Sequence, residues 1–271
     1  MSPLTESTRL TLAKTWDLAG FDADAAAYIQ RVEWADTTPL EAATRTAINN
    51  FVVGCKADGI WTAIKASCIL AGARTLAGAL MPLAGAAPTN NNFVTGDYNR
   101  KTGLVGNGST KYLNSNRNNN ADPQNSQHLS VYASTVTPGG LNKYPIYIGS
   151  STVTGASHFG RDQNSATLFS RSRNSTVNLG VGNATTVGLL AISRNSASSF
   201  IMRTGNTNNS ITQNSQAPGS EILNVFVGDP TGSDLYSNAR LAFYSIGESL
   251  DLALLDTRVS ALITAFGVAI P

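Results

Sequence analysis

The spacing of apolar residues changes near residue 88. Before that point, apolar and alanine positions recur at intervals of three and four residues, which is typical of amphipathic helices. After it, short apolar stretches alternate with runs of Asn, Ser, Thr and Gly, which indicates strands joined by turns. The sequence therefore predicts an N-terminal arm and helical module over residues 1–87 and a β-rich unit over residues 88–271.

The first part is predicted to hold an arm and three helices. An Ala-rich segment runs over residues 22–34, and a second helix is predicted to begin with Thr38 as its N-cap and to end at residues 58–59. A further apolar stripe over residues 60–72 predicts the third helix. The last two form a predicted hairpin that cannot hide its apolar face alone, so this face docks on the sheet or on another subunit.

The second part is predicted to form a sandwich. Its candidate strands cover residues 104–106, 110–113, 129–133, 144–149, 166–170, 176–181, 187–193, 199–203, 223–227 and 240–246. Short strands with little helix between them predict two packed antiparallel sheets. From residue 249 a terminal helix is predicted, with Asp251 near its positive end. The predicted fold class is mainly β, an antiparallel jelly-roll β-sandwich with an N-terminal α-helical module and a C-terminal helix.

Composition narrows the choice of partners. Only 13% of residues are charged and the formal net charge is +2, with no basic stripe, which argues against nucleic acid as a partner. A weakly charged surface is instead typical of a protein partly covered in an assembly. The N-terminus lacks the regions of a signal peptide, and Lys65 and Arg74 interrupt the most apolar stretch, so we predict neither secretion nor a membrane span. Cys55 and Cys68 are predicted to be buried thiols, with a disulfide as the alternative.

Catalytic chemistry finds little support in the sequence. Glycosidases need two carboxylates at a defined separation. The acids between residue 88 and the predicted terminal helix are Asp97, Asp122, Asp162, Glu221, Asp229, Asp234 and Glu248. None of these acids lies one or two positions from another, so no strand presents paired acids on one face. The two histidines, His128 and His158, lack a nucleophile-elbow context. We therefore predict a protein that is not an enzyme. No cofactor is predicted, although the acids leave the binding of a calcium ion open.

Binding chemistry is concentrated in one segment. Residues 158–164 carry the densest group of hydrogen-bonding side chains and are predicted to lie at a strand end or in a loop. There Arg161, Asp162 and Asn164 are candidates for binding sugar hydroxyls, and Asp162 is a candidate calcium ligand. The alternative is an ordinary solvated turn. The tyrosines that are candidates for stacking on sugars, with core packing as the alternative, are Tyr98, Tyr112, Tyr144 and Tyr147.

Large aromatic residues of the helical part are candidates for contacts with other proteins. They are Trp16 in the arm, Tyr28 and Trp34 in the first helix, and Trp61. Neutral, amide-rich tracts such as residues 116–120 also suit contacts across a symmetric particle, where like charges would repel. A homo-oligomer is therefore expected.

A resemblance to a known class of proteins covers most of residues 22–270. The run AINNFVVGCKADGIW at residues 47–61, AIKA at 63–66, GARTL at 72–76 and DYNRKTGL at 97–104 resemble a recurring segment in structural proteins of tailed bacteriophages. In those proteins the segment introduces a concanavalin A-like lectin/glucanase, or laminin G-like, jelly roll. The strand at residues 241–246 and the following helix are similar to the closing element of such domains.

The resemblance implies a virion protein that is assembled in the host cytoplasm. Its role is then capsid decoration, or part of a tail as an accessory protein, fibre or tip, with other virion proteins as partners. A carbohydrate-binding module that recognises a host receptor is the alternative, and a degraded glucanase is a third hypothesis. The calcium and carbohydrate motifs of the lectin relatives do not align with this sequence, so the resemblance carries no site residue over.

Overall fold

The computed structural model describes residues 18–136, 144–151, 155–162, 167–181, 183, 185–232 and 235–271. Its helices are α1 (Ala23–Asp36), α2 (Ala42–Ala57), α3 (Leu76–Ala79) and α4 (Leu252–Ala269). Its first eight strands are β1 (Ile64–Ile69), β2 (Pro82–Ala84), β3 (Thr89–Asn91), β4 (Tyr98–Asn99), β5 (Gly103–Val105), β6 (Tyr112–Asn118), β7 (Gln127–Thr135) and β8 (Ile146–Gly149). The later strands are β9 (Ser157–Asp162), β10 (Thr167–Ser172), β11 (Asn178–Val181), β12 (Gly188–Arg194), β13 (Ser199–Thr204), β14 (Thr207–Thr212), β15 (Ile222–Val225) and β16 (Arg240–Gly247).

The strands form two antiparallel sheets. The nine-stranded sheet has the order β14-β13-β12-β7-β16-β1-β2, with β5 also paired to β16 and β4 to β5. The seven-stranded sheet has the order β11-β10-β9-β8-β15-β6-β3. Some paired strands lie far apart in sequence. For example, β7 begins at residue 127 and pairs with β16, which ends at residue 247. This confirms the predicted antiparallel β-sandwich with helices at both ends.

The sandwich and the helices build three layers around two apolar cores. One core fills the space between the sheets, with Val131 of the nine-stranded sheet and Phe159 of the seven-stranded sheet both fully buried. The other lies between the nine-stranded sheet and the helices, where Phe51 of α2 meets Phe243 of β16 at 5.8 Å. We call the two sheets the helix-facing sheet and the open sheet, because no helix in the described part of the chain covers the outer face of the seven-stranded one.

The apolar face of the predicted helical hairpin is covered within the chain itself. Ile48 and Val52 of α2, together with Val259 and Phe266 of α4, belong to the core under the helices and are at most 2% exposed. Of the two docking surfaces that the sequence leaves open, the sheet is therefore the one used. Helix α4 is long and apolar enough by composition to cross a membrane, yet its apolar stripe packs on the sheet and on α2.

The predicted third helix at residues 60–72 is wrong. A single turn of 3-10 helix at Trp61–Ala63 leads into β1, which lies inside the helix-facing sheet between β16 and β2. A strand buried on both faces carries a nearly continuous apolar run, and such a run has no period that separates it from a helix. Residues 64–69 and 82–84 of the predicted helical module therefore supply two strands of the sheet.

Helix starts are only partly as predicted. Asp251 does cap α4, since its side chain accepts from the Ala253 and Leu254 amides at 2.8 and 3.2 Å. The predicted N-cap at Thr38 is wrong, because α2 begins at Ala42 with Glu41 as its flanking residue. Buried Glu33 accepts from the Leu40 amide at 2.9 Å and holds the segment before α2 against the core, and residues 38–40 lie outside the helix.

Both cysteines are buried and free, as predicted. Burial raises the pKa of each thiol to about 12, so neither forms thiolate near neutral pH. We expect Cys55 and Cys68 of the native protein to resist a thiol-specific disulfide reagent at pH 8, and both to react at once in denaturant. Rapid labelling of one thiol in the native state, followed by mass spectrometry, would show that the core around it opens.

Candidate functional site

A cleft on the outer face of the open sheet is the candidate functional site. Its apolar half has a volume of about 370 Å³. Strands β8, β9 and β10 and the segments beside them supply its lining, which consists of Tyr144, Ile146, Ser151, His158, Phe169, Arg171, Val177 and Leu235. Tyr144 and Val177 are 41% and 42% exposed at the rim, whereas Ile146, His158 and Phe169 are at most 3% exposed and form the floor.

The register of two strands places the floor residues. In the β9–β10 ladder, Phe169 lies opposite Gly160 and Arg171 lies opposite His158. Alternate residues of a strand face the same side, so all four share the outer face of the sheet. Glycine is required at 160 because a Cβ atom there would lie 2.6 Å from the Phe169 ring and 2.7 Å from the Pro145 carbonyl oxygen. The ring thereby lies low over β9 and leaves the cleft open above it.

A polar half of about 200 Å³ continues the cleft over β6 and β15. It is lined by Tyr112, Asn114, Ser150, Glu221, Ile222, Asn224, Gly228, Asp229 and Pro230. The two halves share a wall, since a Cβ on Gly228 of the polar half would meet Ile146 and Ser151 of the apolar half at 2.3 and 3.1 Å. One ligand can therefore contact both halves.

Ser150 connects the two halves by hydrogen bonds. Its carbonyl oxygen lies 2.9 Å from Nδ1 of His158, and its hydroxyl donates to Oε1 of Glu221 at 2.9 Å. Because a carbonyl only accepts, Nδ1 of His158 carries the proton and Nε2 carries the lone pair. Burial lowers the pKa of His158 to about 4, so the ring is neutral at physiological pH. The cleft thus presents a neutral imidazole and a fixed carboxylate on either side of one serine.

Two acids that are eight positions apart in sequence share the polar half. Glu221 accepts from both Ser150 and the Asn119 side chain, the latter at 3.1 Å. Asp229 accepts from the amide and hydroxyl of Thr231 at 2.9 and 2.7 Å, which is a turn-forming arrangement. Both carboxylates therefore hold local structure as well as facing the cleft.

A second cavity of about 370 Å³ lies between the helix-facing sheet and the start of α4. Its polar groups serve the helix start: Ser193 donates to the Leu250 carbonyl at 2.9 Å and accepts from the Leu250 amide at 3.2 Å, and Asp251 caps α4. No buried polar side-chain atom of its lining lacks a partner in the described chain. We therefore interpret this cavity as part of the structural junction between α4 and the helix-facing sheet.

The residues predicted for glycan binding are mostly elsewhere. Arg161 and Asp162 lie at the end of β9, which agrees with the predicted strand end, but they are 2% and 6% exposed and do not line the cleft. Tyr98 donates to the Ala73 carbonyl oxygen at 2.7 Å and packs between the cores. Asn164 lies outside the described residues. Residues 157–162 are not predicted as a strand, because polar residues dominate them, yet all of them are buried in β9.

The tyrosines divide between cleft and core. Tyr112 and Tyr144 line the cleft, whereas Tyr147 is 1% exposed and stacks on Phe159 at 6.5 Å inside the sandwich. Arg171 was missed by sequence reasoning. Its signal is the alternation Phe169–Arg171 on a strand, which places a cation and an aromatic ring on one face.

The candidate assembly contacts also divide. Tyr28 is 2% exposed and belongs to the core under the helices, so it cannot contact another protein. Trp61 is half-buried and donates to Asp24 at 3.2 Å, whereas Trp34 is 65% exposed. Trp16 lies outside the described residues.

The calcium ion that the sequence leaves open would need a cluster of ligands. No group of three or more His, Cys, Asp or Glu residues that could hold a metal ion occurs in the described ranges.

Comparison with known proteins supports the fold. No family model matches the chain, and no curated protein matches it. The binding domain of botulinum neurotoxin serotype D is similar with a TM-score of 0.52 and 10% identity, over 77% of this chain and 52% of that one. A Trypanosoma rangeli sialidase bound to 2,3-difluoro-KDN has a TM-score of 0.49 and 7% identity, over 75% of this chain and 33% of that one. A mutant of that sialidase with trans-sialidase activity has a TM-score of 0.49 and 9% identity, over 80% and 39%.

These solved chains are larger, since this chain spans between a third and about half of each. At such low identity the likeness concerns the fold alone. The similarity to the toxin domain agrees with the antiparallel β-sandwich fold of this chain.

Proposed function

We propose that the protein is a non-enzymatic binding module that holds a glycan in the cleft of the open sheet, as a structural component of a phage virion. The cleft carries this proposal. Apolar and aromatic walls of Tyr144 and Val177 suit the C–H face of a pyranose, and the adjoining amides of Asn114 and Asn224 suit its hydroxyls. Ligand sites combine an apolar concavity with a few polar groups in this way.

A binding role suits the acids of the cleft better than hydrolysis does. Glycoside hydrolysis needs one carboxylate free to donate a proton and a second free to act as base or nucleophile. Glu221 and Asp229 are each held by two hydrogen bonds to their own surroundings. They face the same half of the cleft, so the degraded-glucanase hypothesis has a direct test in the release of reducing sugar from oligosaccharides.

The virion role rests on the phage-like segments, which build α2, β1 and β4–β5 of this fold. The surface is consistent with an assembled protein, because Trp34 and Val268 are 65% and 86% exposed on the helical side, away from the cleft. In this arrangement the helical side faces other virion proteins and the open sheet faces outward, toward a host glycan.

A glycan array tests the binding role. We expect the full chain to bind a subset of glycans with and without calcium. The variant Tyr144→Ala should bind about tenfold more weakly, since it removes an aromatic wall. The matched control is Asn195→Ala in the cavity beside α4, which should bind like wild type. No signal on any glycan, or equal loss in both variants, would contradict the proposal, and release of reducing sugar would favour the enzyme.

The virion role has its own test. Peptides of this protein should be found by mass spectrometry in purified particles induced from a host that carries the gene, at a copy number set by particle symmetry. Immunogold labelling would then locate it on the capsid or the tail. Particles free of the protein would contradict the virion role and leave the binding role standing.

A further inference from the structure

Arg171 on the cleft wall has an incomplete set of partners. Its Nε and Nη2 both donate to one acceptor, the Asn174 carbonyl oxygen, at 3.0 and 2.6 Å. Its Nη1 has no hydrogen bond, and no carboxylate lies within ion-pair distance of it in the described chain. The side chain is half-buried, and this burial lowers the pKa of the guanidinium from its usual value. A cation is thus partly removed from water with no carboxylate in contact with it among the described residues.

The hydrogen-bond and ion-pair partners of other arginines in this protein provide a comparison for Arg171. The arginines that form ion pairs with carboxylates are Arg45, Arg74, Arg100, Arg117, Arg203 and Arg258. Buried Arg173 and Arg194 form no ion pair with a described residue, but both Nη atoms of each donate to backbone carbonyls, although Nε of Arg173 has no partner. Arg171 does neither, and it faces a cavity. Its planar fork is suited to a carboxylate or a similar oxyanion.

His158 supplies an independent sign of a ligand. The residue is 3% exposed and lines the same cavity. Its Nε2 has no hydrogen-bond partner in the described chain. That nitrogen carries a lone pair, because Nδ1 donates to Ser150. A buried acceptor without a donor is costly, and a hydroxyl or amide N–H of a ligand would satisfy it.

We propose, on the basis of the glycan-binding role above, that the ligand is an acidic sugar whose carboxylate binds Arg171 while one of its hydroxyls donates to His158. The two residues are cross-strand neighbours on β10 and β9, so both groups of a single sugar ring are within their reach. Glu221 also exerts its negative charge on Arg171 from the polar half. A ligand carboxylate is therefore placed on the apolar side, with neutral hydroxyls toward Glu221.

A sugar carboxylate fits this cavity better than a phosphate does. Phosphate sites gather several donors around one group, from a helix N-terminus or clustered Arg and Lys. Here a single cation stands among Ile146, Val177 and Leu235, which match the apolar face of a ring. The chemistry covers both hexuronic acids and nonulosonic acids, which differ in where the carboxylate joins the ring.

Calorimetric titration of the full chain tests the proposal with matched probes. Methyl β-glucuronide and methyl β-glucoside differ only in the carboxylate, and the methyl glycoside of N-acetylneuraminic acid represents the second class. We expect one of the two acidic sugars to bind at least about tenfold more tightly than the glucoside, because a hydrogen bond to a charged group contributes that much. Arg171→Gln should abolish the preference, Arg171→Lys should retain part of it, and exposed Arg31→Gln should leave it unchanged.

A second readout isolates the histidine without mutating the floor of the cleft. The ¹⁵N resonance of His158 Nε2 should shift when the acidic sugar is added, because its lone pair gains a donor. Equal affinity for acidic and neutral sugars, or a preference that survives in Arg171→Gln, would overturn the acidic-sugar proposal while leaving glycan binding intact. Binding of inorganic phosphate in place of every sugar, or of no probe at all, would overturn both.

Discussion

Replacing Arg194 with alanine is expected to lower the free energy of unfolding by about 4 kcal/mol. Arg194 is fully buried at the end of β12 and has no carboxylate partner in the described chain. Its Nε donates to the Ser172 carbonyl oxygen at 2.7 Å, and its two Nη atoms donate to the carbonyls of Ser196, Ser199 and Gln213 at 2.9 to 3.1 Å.

These bonds connect the two sheets at one end of the sandwich, since Ser172 ends β10 of the open sheet and Arg194 ends β12 of the helix-facing sheet. The alanine variant removes the donor from one buried carbonyl, that of Ser172, and from three half-buried ones, and a buried unsatisfied group costs about 1–3 kcal/mol. Because the guanidinium also lies 5.2 Å from the centre of the Phe200 ring, truncation leaves a cavity there as well.

Urea denaturation followed by tryptophan fluorescence measures the change. Arg194→Met keeps most of the volume without the donors, so it should be nearly as destabilised as Arg194→Ala if hydrogen bonding dominates. Arg31→Ala is the matched control, because Arg31 is exposed and should change stability by less than about 0.5 kcal/mol. An Arg194→Ala protein within about 1 kcal/mol of wild type would show that the sheets close without these bonds.

Sequence reasoning succeeds here where the residue pattern itself has a period. Strands β7 and β16 are almost entirely buried, yet apolar residues recur at alternate positions along them, as at Leu129 and Val131, and α1 and α4 carry apolar stripes. It fails at β1, whose apolar residues also fit a helical stripe, and at β9, all of whose residues are buried although four of the six are polar. The partner β16 that fixes β1 lies far away in sequence, whereas β9 pairs with its sequence neighbours β8 and β10 and is obscured only by its polar composition.

The Asn-rich segment at residues 206–210 illustrates the same limit at an edge. Its Asn, Thr and Ser residues are typical of a loop, yet most of it belongs to β14, which closes a hairpin on β13 through a turn at Gly205 and Asn206 with φ of 52° and 64°. Such residues allow the turn to be predicted, but the polar side chains of an edge strand give the same sequence pattern as a loop.

The candidate cleft follows from register more than from composition. Tyr112, Tyr144 and His158 are visible in sequence as aromatic or polar residues without a common location. Only the pairing of β9 with β10 and of β15 with β8 brings them to one outer face. Arg171 becomes informative only when its partners are known, because an arginine in a strand is unremarkable until its charge is seen to lack a counter-ion.

Lowering the pH from 7.5 to 5 is expected to reduce the free energy of unfolding by about 4 kcal/mol, with two buried histidines as the cause. Burial lowers the pKa of both His128 and His158 to about 4, against an ordinary value of 6.5 in the unfolded chain. Both side chains are locked as neutral rings, since His128 lies 2.6 Å from the Glu248 carbonyl oxygen and 2.8 Å from the Ser245 hydroxyl.

The sign follows from proton uptake. Between pH 6.5 and 4 the unfolded chain binds a proton at each histidine and the folded protein does not, so stability is complete above pH 6.5 and is lost as the pH falls toward 4. Carboxylates that ion pairs hold below their usual pKa act in a lower window. Asp22 beside Lys56 and Asp58 beside Arg258 have pKa values lowered from 3.8, so their contribution disappears only below about pH 4.

Urea midpoints measured at pH 7.5, 6.5, 5.5 and 5 separate these effects. The slope of unfolding free energy against pH should approach that of two protons bound on unfolding near pH 5.5. His128→Gln should be less stable than wild type at pH 7.5 but should show half the slope, because one of the two titrating rings is gone. A flat profile above pH 5 would mean that both histidines gain protons in the folded protein. His158 would then be charged in the cleft and could no longer accept a hydrogen bond from a hydroxyl.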